Sequence, residues 1–431
     1  MEAPHPLALR MLYLSCARIP SEKAHTYQIL KMCESFSRQG MKVTLLYQRR
    51  NNKQLEARAG DIFTYYAVRT PFTLKRLLCL DSALLERIHA GLWFYVLTAT
   101  YLCAAALYVL RHRKAIDIIY CRDIFSLALL GVLRPVLRRP VFYEAHVFPR
   151  TLTRFHVRCL KKMDGIVTLT GQLRARLVQH GVHQVPITVA HDGVDLHRFS
   201  NAQRTAAHIR AQMEIPDESI LIGYVGRFVT MEQEKGIKDL LAALCYLPEY
   251  QSVVYMAFVG GPMNHVPAYY QIIDELHLDR HHFRFYDLVP VNDVAAYLAA
   301  CDIVAMPFPW TPHYAYHMSP LKMFEYMAAE KPILATRLPS IMEVLTDGEN
   351  AVLVEPDSPE ALARGIRRII EDKTFSQHIS KRARQDVLHY TWERRAQKIA
   401  QFITDNLPSD APPETTRDCL STNDIYRADR Q

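Results

Sequence analysis

Glycine is scarce in this 431-residue chain: 15 are present, about 3.5% of the total and roughly half the usual share. That scarcity excludes collagen-like and glycine-repeat architectures. The sequence also lacks a G-x-G-x-x-G pattern and a G-x-x-x-x-G-K-[ST] pattern, which excludes the dinucleotide-binding fingerprint and the P-loop. If the protein binds phosphate groups, residues outside these two kinds of loop must hold them.

Metal-binding and disulfide patterns are missing as well. The nine cysteines are scattered, and the sequence contains no C-x-x-C, no H-E-x-x-H and no EF-hand loop, so we expect no metal site. An odd, dispersed set of cysteines is typical of a reducing cytosol. The N-terminal residues lack a charged segment followed by a long apolar one, so a secretory signal peptide is not expected.

Composition indicates a globular protein with a modest basic excess. Apolar residues make up 49% of the chain and charged residues 22%, and the length suits two domains. Lys and Arg number 52 against 44 Asp and Glu, a formal net charge of +8. This excess fits anionic partners such as nucleotides, phosphorylated lipids, a membrane surface or nucleic acid, and it fits a solvated basic surface equally well.

Short β-type runs alternate with helical stretches along both halves of the chain. This alternation predicts two parallel sheets, in a Rossmann-like N-terminal domain over 1–190 and a Rossmann-like C-terminal domain over 191–391, which face each other across a cleft. We expect the last helix, 392–405, to pack back near the first domain, and residues 406–431 to form a disordered tail. The predicted strands are 8–15, 42–47, 115–121, 141–144, 165–170 and 187–190, then 220–225, 253–259, 283–286, 302–307, 332–336 and 351–355.

The 21 residues between His89 and Arg111 carry no charge, and a stretch of that length could cross a bilayer. A span would separate the strands at 8–15 and 115–121, which we predict to lie in one sheet. We therefore interpret the stretch as a buried crossover helix, with an interfacial helix as the second option. The preceding segment 70–80, TPFTLKRLLCL, predicts a short amphipathic helix that either contacts an anionic membrane or covers an ordinary surface.

Glycines and bases follow two of the predicted strands in the second half. Gly226 and Arg227 end the first of these strands, and Lys235 follows eight residues later. At the carboxyl end of a parallel strand, such bases could neutralise a diphosphate, or they could simply face solvent. Gly260 and Gly261 end the next strand, where they could bring backbone N–H groups near a phosphate or form a plain turn.

The most informative pattern is HMSPLKMFEYMAAEKPILAT, which starts at His317. Ser319 suits an N-cap and Pro320 suits the first helical position, so the pattern predicts a helix whose N-terminus can bind an anion. Glu325 lies about a turn and a half inside this helix. Its carboxylate could accept both hydroxyls of a ribose, or it could be a surface glutamate.

In the first half, the segment FYEAHVF puts Glu144 and His146 at the carboxyl end of a strand that faces the cleft. A histidine there could bind sugar hydroxyls or transfer protons. A satisfied structural histidine fits the sequence equally well.

Taken in order along the chain, these motifs resemble retaining glycosyltransferase family 4, which has the GT-B fold. The resemblance covers roughly residues 9–403. The segment SPLKMFEYMA resembles the corresponding segment of bacterial members that build surface polysaccharides. The motifs that carry it are IIYCRD, YEAH, HDGVDLHRF, GRF…KG, VGGP, FYDLVPVNDVAAYLAACDIVAMPF, SPLKMFEYMAAEKPILAT, GENAVLV and HYTWERRA.

The resemblance implies a nucleotide-sugar donor held by the second domain and an acceptor held by the first, without metal or cofactor. Arg227 and Lys235 would hold the diphosphate and Glu325 the ribose, while His146 would contact the donor sugar near the reacting carbon. These four are the expected catalytic residues. The other residues implied at the substrate site are Gly226, Gly260 and Gly261, then Asp287, Leu288 and Val289 beside the base, His317, Ser319, Pro320 and Leu321 around the helix start, and Lys23 and His25 in the first loop.

Three positions depart from the family pattern. His317 stands where the family often has a glutamate, so we expect a donor sugar with a different hydroxyl pattern, or a histidine that only packs beside Tyr314 and Tyr316. Ionisation near the ordinary histidine pKa of ~6.5 would make donor affinity depend on pH. The first loop, SCARIPSEKAH, has no glycine, and Glu330 replaces the family's usual glycine.

The expected function is transfer of a sugar, most simply from a UDP-sugar, to a glycan or lipid-linked acceptor with retention of configuration. The enzyme would be a metal-independent glycosyltransferase of hexosyltransferase type. The alternatives are a non-hydrolysing nucleotide-sugar epimerase, which would convert the donor without an acceptor, and a non-catalytic nucleotide-sugar-binding subunit. We expect a cytoplasmic location, with peripheral contact at the inner face of the membrane as an option, and no nucleic-acid partner.

Overall fold

A seven-stranded parallel sheet organises the first half of the chain. The computed structural model describes residues 9–408 except 22, 51–55, 58, 147, 149–152 and 231. The strands are β1 (Arg10–Arg18), β2 (Lys42–Gln48), β3 (Thr73–Leu77), β4 (Ile118–Cys121), β5 (Val141–Ala145), β6 (Gly165–Thr168) and β7 (Ile187–Val189). The helices are α1 (Ala24–Arg38), α2 (Ile62–Tyr65), α3 (Ala83–Ile88), α4 (Ala90–His112), α5 (Ile124–Leu137), α6 (Arg154–Leu160) and α7 (Gly171–Gln179). Strand order is β3-β2-β1-β4-β5-β6-β7, and the central strands are continuous buried runs because both faces of the sheet are covered.

A six-stranded parallel sheet organises the second half. Its strands are β8 (Ile220–Val225), β11 (Val254–Val259), β12 (Phe283–Tyr286), β13 (Ile303–Met306), β14 (Ile333–Thr336) and β15 (Val352–Val354), beside a small hairpin of β9 (Val229–Thr230) and β10 (Gln233–Glu234). The helices are α8 (Gln203–Gln212), α9 (Ile237–Ala243), α10 (Val266–Glu275), α11 (Val294–Ala300), α12 (Pro312–Tyr316), α13 (Leu321–Ala328), α14 (Pro359–Glu371), α15 (Lys373–Asp386) and α16 (Trp392–Asp405). Strand order is β12-β11-β8-β13-β14-β15, so the predicted class of two parallel α/β sheets is confirmed.

The C-terminal helix α16 returns to the first sheet. Thr391 caps it, because its side chain accepts a hydrogen bond from the N–H of Arg394. Trp392, Ala396 and Ile399 recur at helical spacing and are buried in the same hydrophobic cluster as the helix α1 and the strands β1 and β4. Residues 409–431, most of the tail predicted to be disordered, lie outside the described residues.

Helix α4 contains the uncharged run, and only one of its faces is buried. Tyr101 is fully buried, and its hydroxyl donates to the carbonyls of Ser15 and Leu46, which fixes the helix across β1 and β2. The predicted buried crossover helix is therefore correct for this face only. On the opposite face Tyr95 and Leu107 are 67% and 69% exposed. By length and composition, the segment 90–115 could cross a membrane, and it is the one such helix in the part of the chain that the structure describes.

Segment 70–80 was predicted as an amphipathic helix, and that prediction is wrong. Residues 73–77 form β3, the edge strand of the first sheet, paired in parallel with β2. Lys75 and Arg76 point to opposite faces of this edge strand, and both side chains are exposed. Basic edge residues also protect an open edge from pairing with another chain.

Glu330 follows α13 with a left-handed backbone, φ +56. The family pattern has glycine here, and glycine adopts this conformation at no steric cost. The glutamate costs about 1 kcal/mol of backbone strain relative to glycine. Glu330 thus adopts the left-handed conformation that glycine favours at a helix end.

Candidate functional site

The ends of β8 and β11 approach each other closely where they meet helix α13. Gly226 (φ +142) and Gly260 (φ +133) both have backbone conformations that favour glycine. A Cβ atom on Gly260 would lie 2.6 Å from the carbonyl carbon and oxygen of Gly226, so no side chain fits there. The two strand ends therefore form a main-chain surface at the carboxyl edge of the sheet, where ligands of such folds bind.

The backbone N–H groups of Gly260 and Gly261 do not point toward a phosphate. Both donate to the carbonyl of Tyr286, at 3.0 and 3.2 Å, and so are consumed within the sheet. The prediction that they bind a phosphate is wrong for these two N–H groups. Gly261 instead leaves room for Asp287, because a Cβ there would lie 2.3 Å from Oδ1 of that aspartate.

The three residues predicted beside the nucleotide base lie directly after β12. Asp287 is exposed, while Leu288 and Val289 are partly buried. The side chain of Asp287 accepts from the N–H of Leu288 at 2.8 Å, which holds the turn in shape. They lie next to Gly261, and their contact with a base stays a prediction.

Arg227 and Lys235 are partly buried and unpaired. Among the described residues neither side chain has a hydrogen-bond or ion-pair partner. Burial, followed by the nearby charge of Arg227, lowers the pKa of Lys235 to about 8. Two cations that repel each other in a partly desolvated site are stabilised by an anion between them. The structure thus brings the two bases together, as the sequence predicts for an anion site.

The helix α13 begins at Leu321, slightly later than predicted. Pro320 takes the cap position with an extended backbone, φ −76 and ψ 127, and no side chain caps the helix. Ser319 is not the N-cap: its hydroxyl accepts from the N–H of Asp192 at 2.9 Å and so ties the helix start to the chain between the two sheets. The N–H of Met323 donates to the carbonyl of Pro320 at 3.0 Å, so among the described residues the N–H groups of Leu321 and Lys322 remain available at the helix N-terminus.

Glu325 is held by an arginine from the segment between the two sheets. Its Oε1 accepts from Nη1 of Arg198 at 3.0 Å. The same guanidinium donates to the hydroxyl of Tyr27 at 3.3 Å and to the carbonyl of Val291. In the described part of the chain, Oε2 of Glu325 accepts no hydrogen bond, which leaves it for the predicted ribose contact.

The side chain of His317 contacts an arginine of helix α7, in the first half of the chain. Nη1 of Arg176 lies 2.7 Å from Nε2 of His317, and the guanidinium lies 4.4 Å above the ring of Phe148. Because arginine only donates, Nε2 is the acceptor and Nδ1 carries the proton. Burial, then the charges of Arg176 and His313, lowers the pKa of His317 to about 4. The prediction that this histidine ionises near neutral pH is therefore wrong.

Replacing His317 by alanine should change nucleotide affinity by the same factor from about pH 5.5 to about pH 8, because the imidazole stays neutral throughout this range. The measurement is the Kd of the tightest-binding nucleotide-sugar donor for wild type and His317→Ala across that range. Lys235 titrates within this pH range in both proteins, so its effect on the two Kd values cancels in their ratio. A ratio that rises severalfold toward low pH would contradict the neutral histidine.

His146 is neutral as well, and protein groups occupy both of its ring nitrogens. Nδ1 accepts from Nη2 of Arg122 at 3.0 Å, so Nε2 carries the proton and donates to Glu144. Burial, then Arg122, lowers the pKa of His146 to about 4 even though Glu144 opposes the shift. A sugar hydroxyl can bond to Nδ1 only by replacing Arg122.

Glu144 has three hydrogen-bonding partners in the core of the first sheet. Tyr120 donates to it, His146 donates to it, and Arg395 of α16 donates at 3.1 Å. Burial alone would raise the pKa of this fully buried carboxyl, but Arg395, His146 and Arg122 hold it well below its ordinary value. The C-terminal helix therefore supplies the countercharge that keeps Glu144 ionised.

Lys23 and His25 lie at the start of α1, close to the same network. Lys23 is exposed at the cap position of the helix. The carbonyl of His25 accepts from Nη1 of Arg122 at 3.2 Å, so Arg122 joins this loop to His146. Their role toward acceptor or phosphate stays a prediction.

Sequence reasoning missed the arginines that hold these groups, and it missed Lys322, a buried lysine at the start of α13. Most lie inside motifs already noticed: Arg122 in IIYCRD, Arg198 in HDGVDLHRF, Lys322 in SPLKMFEYMA and Arg395 in HYTWERRA. Only Arg176 lies in a stretch without a recognisable pattern. Each of them acts on a residue far away in sequence, which a local pattern does not reveal.

Two family profiles match consecutive parts of the chain. The profile of "Glycosyltransferase Family 4" matches residues 26–198, and that of "Glycosyl transferases group 1" matches residues 206–386. Because these two matches cover most of the chain, it belongs to the GT-B glycosyltransferases.

Curated relatives include two enzymes named D-inositol 3-phosphate glycosyltransferase. The one from Corynebacterium urealyticum is 26% identical over 241 residues, 54% of this chain and 54% of its own length. The one from a Nocardioides species is 27% identical over 226 residues, 49% of this chain and 47% of its own length. The chain therefore spans about half the length of these curated relatives.

Solved structures share the fold over nearly the whole chain. Anabaena HepE in complex with UDP matches with a TM-score of 0.68 and 17% identity, over 92% of this chain and 100% of the other. Sucrose-phosphate synthase from Thermosynechococcus elongatus matches with a TM-score of 0.70 and 18% identity, over 92% and 98%. At this level of identity the likeness establishes the GT-B fold, which confirms the fold predicted from the sequence.

Proposed function

We propose that the protein transfers a sugar from a nucleotide-sugar donor, most simply a UDP-sugar, to a glycan or lipid-linked acceptor. The observation that carries this proposal is the pair of unpartnered cations, Arg227 and Lys235, at the carboxyl edge of the second sheet. Such a pair matches the two negative charges that the donor's diphosphate already carries and stabilises the further charge that develops as it departs. Solved GT-B structures with UDP and UDP-glucose bound, those of Anabaena HepE, support the donor class.

The chemistry we propose retains the anomeric configuration, as the sequence resemblance implies. The bond between the anomeric carbon and the diphosphate oxygen breaks, and the acceptor hydroxyl oxygen bonds to the same face of that carbon. The hydroxyl proton leaves with the departing phosphate oxygen. Arg227 and Lys235 stabilise the charge on the leaving group. The neutral His146 orients the donor sugar without titrating, through its Nδ1, where a sugar hydroxyl replaces Arg122 as the donor.

A turnover assay with the purified protein tests this function. The wild type is incubated with UDP-, GDP-, ADP- and dTDP-sugars, with and without a lipid-linked glycan extract, and in excess EDTA. We expect acceptor-dependent release of one nucleoside diphosphate, unaffected by EDTA, and a product with the anomeric configuration of the donor. Conversion of the donor without acceptor would indicate an epimerase, and tight binding without turnover would indicate a binding subunit.

Activity lost in EDTA and restored by Mg²⁺ or Mn²⁺ would overturn metal independence.

We also propose that the protein acts in the cytoplasm, at the inner face of a membrane. The exposed face of α4 supports this proposal better than segment 70–80, because it is an apolar stripe at helical spacing. Positively charged Arg111, Arg113 and Lys114 follow it and are all exposed. Such a helix suits an interfacial position with its apolar face among the lipid chains. The members of the stripe are Leu92, Tyr95, Ala99, Cys103 and Leu107.

Replacing Tyr95 and Leu107 together by glutamate should abolish binding to anionic vesicles. The measurement is co-sedimentation with vesicles rich in phosphatidylserine. Each nearby base contributes about 1 kcal/mol, so wild-type binding should weaken as salt is added. The matched control is Leu388→Glu, which changes an exposed leucine of the second half, 51% exposed, and should leave binding intact. Binding that withstands salt and requires detergent for release would instead favour a span at 90–110.

A further inference from the structure

Lys322, the second residue of α13, is a buried amine without a hydrogen-bond partner. Its side chain is only 7% exposed, and in the described part of the chain no atom accepts a hydrogen bond from Nζ. The nitrogen lies 3.5 Å from the ring centroid of Tyr224, a cation–π contact that offsets only part of the lost hydration. An unpaired buried ammonium is costly, so this arrangement needs a reason.

The amine is aimed at the strand end that forms the anion site. A Cβ on Gly226 would lie 2.8 Å from Cε and from Nζ of Lys322. The absence of a side chain at Gly226 therefore makes the space that the lysine occupies. Arg227 follows directly in sequence, so Nζ lies where the end of β8 meets the N-terminus of α13.

The charged groups that face Lys322 leave it without a countercharge. Lys235 adds a second positive charge, and the two carboxylates that act on it are Glu325 and Glu234. Glu325 is already paired with Arg198, and Glu234 accepts from the N–H groups at the start of α9. Burial, then Lys235, lowers the pKa of Lys322 well below its ordinary value. The amine is thus available for an anion that the chain itself does not supply.

We propose that Lys322 is a third cation for the diphosphate of the nucleotide donor and that it takes up a proton when the diphosphate binds. This inference rests on the proposed function. It adds Lys322 to the two cations, Arg227 and Lys235, that the proposed function already uses. The diphosphate supplies both the missing hydrogen-bond acceptor and the missing negative charge. Those two effects favour the ammonium form, so the pKa of Lys322 rises on binding and the protein gains a proton from solvent.

Isothermal titration calorimetry tests the proposal directly. Wild type, Lys322→Met and Lys322→Gln are titrated with UDP, GDP, ADP and dTDP near pH 8, in two buffers of different ionisation enthalpy. The number of protons taken up follows from the difference between the two buffers. Titration with the corresponding nucleoside separates contacts to the diphosphate from contacts to the base. Lys238→Met is the matched control, because Lys238 is exposed on the neighbouring helix α9.

We expect wild type to bind one nucleoside diphosphate with net proton uptake, part of which comes from Lys235, whose pKa is about 8. Both Lys322 variants should bind it about 10- to 100-fold more weakly, with less proton uptake, while nucleoside binding and the Lys238→Met control stay unchanged. Without nucleotide, Lys322→Met should melt no lower than wild type, because it replaces an unpaired buried amine with an apolar side chain of similar length.

Three outcomes contradict the proposal. Lys322 variants with wild-type affinity and wild-type proton uptake would overturn the role of this lysine while leaving the proposed function intact. Wild-type binding without proton uptake would overturn the protonation step even if both variants failed to fold. A wild type that binds none of the four nucleotides would overturn the donor site itself, and Lys322 with it.

Discussion

Replacing Arg227 or Lys235 by alanine should lower the turnover number about 100- to 1,000-fold. Each substitution removes one of the cations that stabilise the negative charge of the leaving diphosphate. That charge grows as the glycosidic bond breaks, so the loss is larger in the transition state than in the bound donor. We therefore expect kcat to fall more than donor affinity.

The measurement is kcat and KM for the donor with purified variants. Arg227→Lys should recover only part of the activity, since lysine lacks the planar fork of arginine. The control is Arg364→Ala, because Arg364 is exposed on α14 and, in the described part of the chain, its one ion-pair partner is Glu360, one turn away. If both alanine variants kept a normal kcat, the donor site would have to lie elsewhere.

Replacing Arg395 by methionine should cost about 3–5 kcal/mol in the free energy of unfolding. The arginine is 4% exposed, and it pairs with the fully buried Glu144 at 3.1 Å. Its Nε also donates to the carbonyl of His191 at 2.9 Å. Without it, an ionised carboxylate stays buried with neutral partners only, and one contact that holds α16 on the first sheet disappears.

Urea denaturation measures this loss, with Arg394→Met as the matched control. Arg394 is the exposed neighbour on the same helix, and its replacement should change stability by less than about 0.5 kcal/mol. The double variant Glu144→Gln with Arg395→Met should recover part of the loss, because it removes the orphaned charge as well. Equal stabilities for Arg395→Met and Arg394→Met would show that the buried pair contributes nothing.

The candidate site shows where local sequence reasoning succeeds. A strand that ends in glycine and arginine, followed by a lysine, lies at the carboxyl edge of a parallel sheet because the alternation of strands and helices fixes that edge. The sequence alone therefore predicts that Arg227 and Lys235 lie together. The start of α13 was predicted to within two residues for a similar reason, since proline favours the beginning of a helix.

Other features required the chain to be folded. The N–H groups of Gly260 and Gly261 donate to Tyr286 because β12 happens to be the neighbouring strand. Which face of α4 is buried follows from its position over β1 and β2, since its composition is apolar all round. Segment 70–80 became an edge strand because β2 offered a free edge, which outweighs a helical pattern in so short a stretch.

The sequence by itself determined two parallel α/β sheets and the class of residue at the second sheet's edge, because hydrophobic periodicity and strand-end position are local properties. Only the tertiary structure decided which groups are paired and which are not. Glu325 meets Arg198 across 127 positions, and Glu144 meets Arg395 across 251. Among the residues that the structure describes, Nζ of Lys322 meets no hydrogen-bond acceptor. Whether a buried charge has a partner depends on what the folded chain brings within about 4 Å, and no pattern of neighbours along the sequence contains that information.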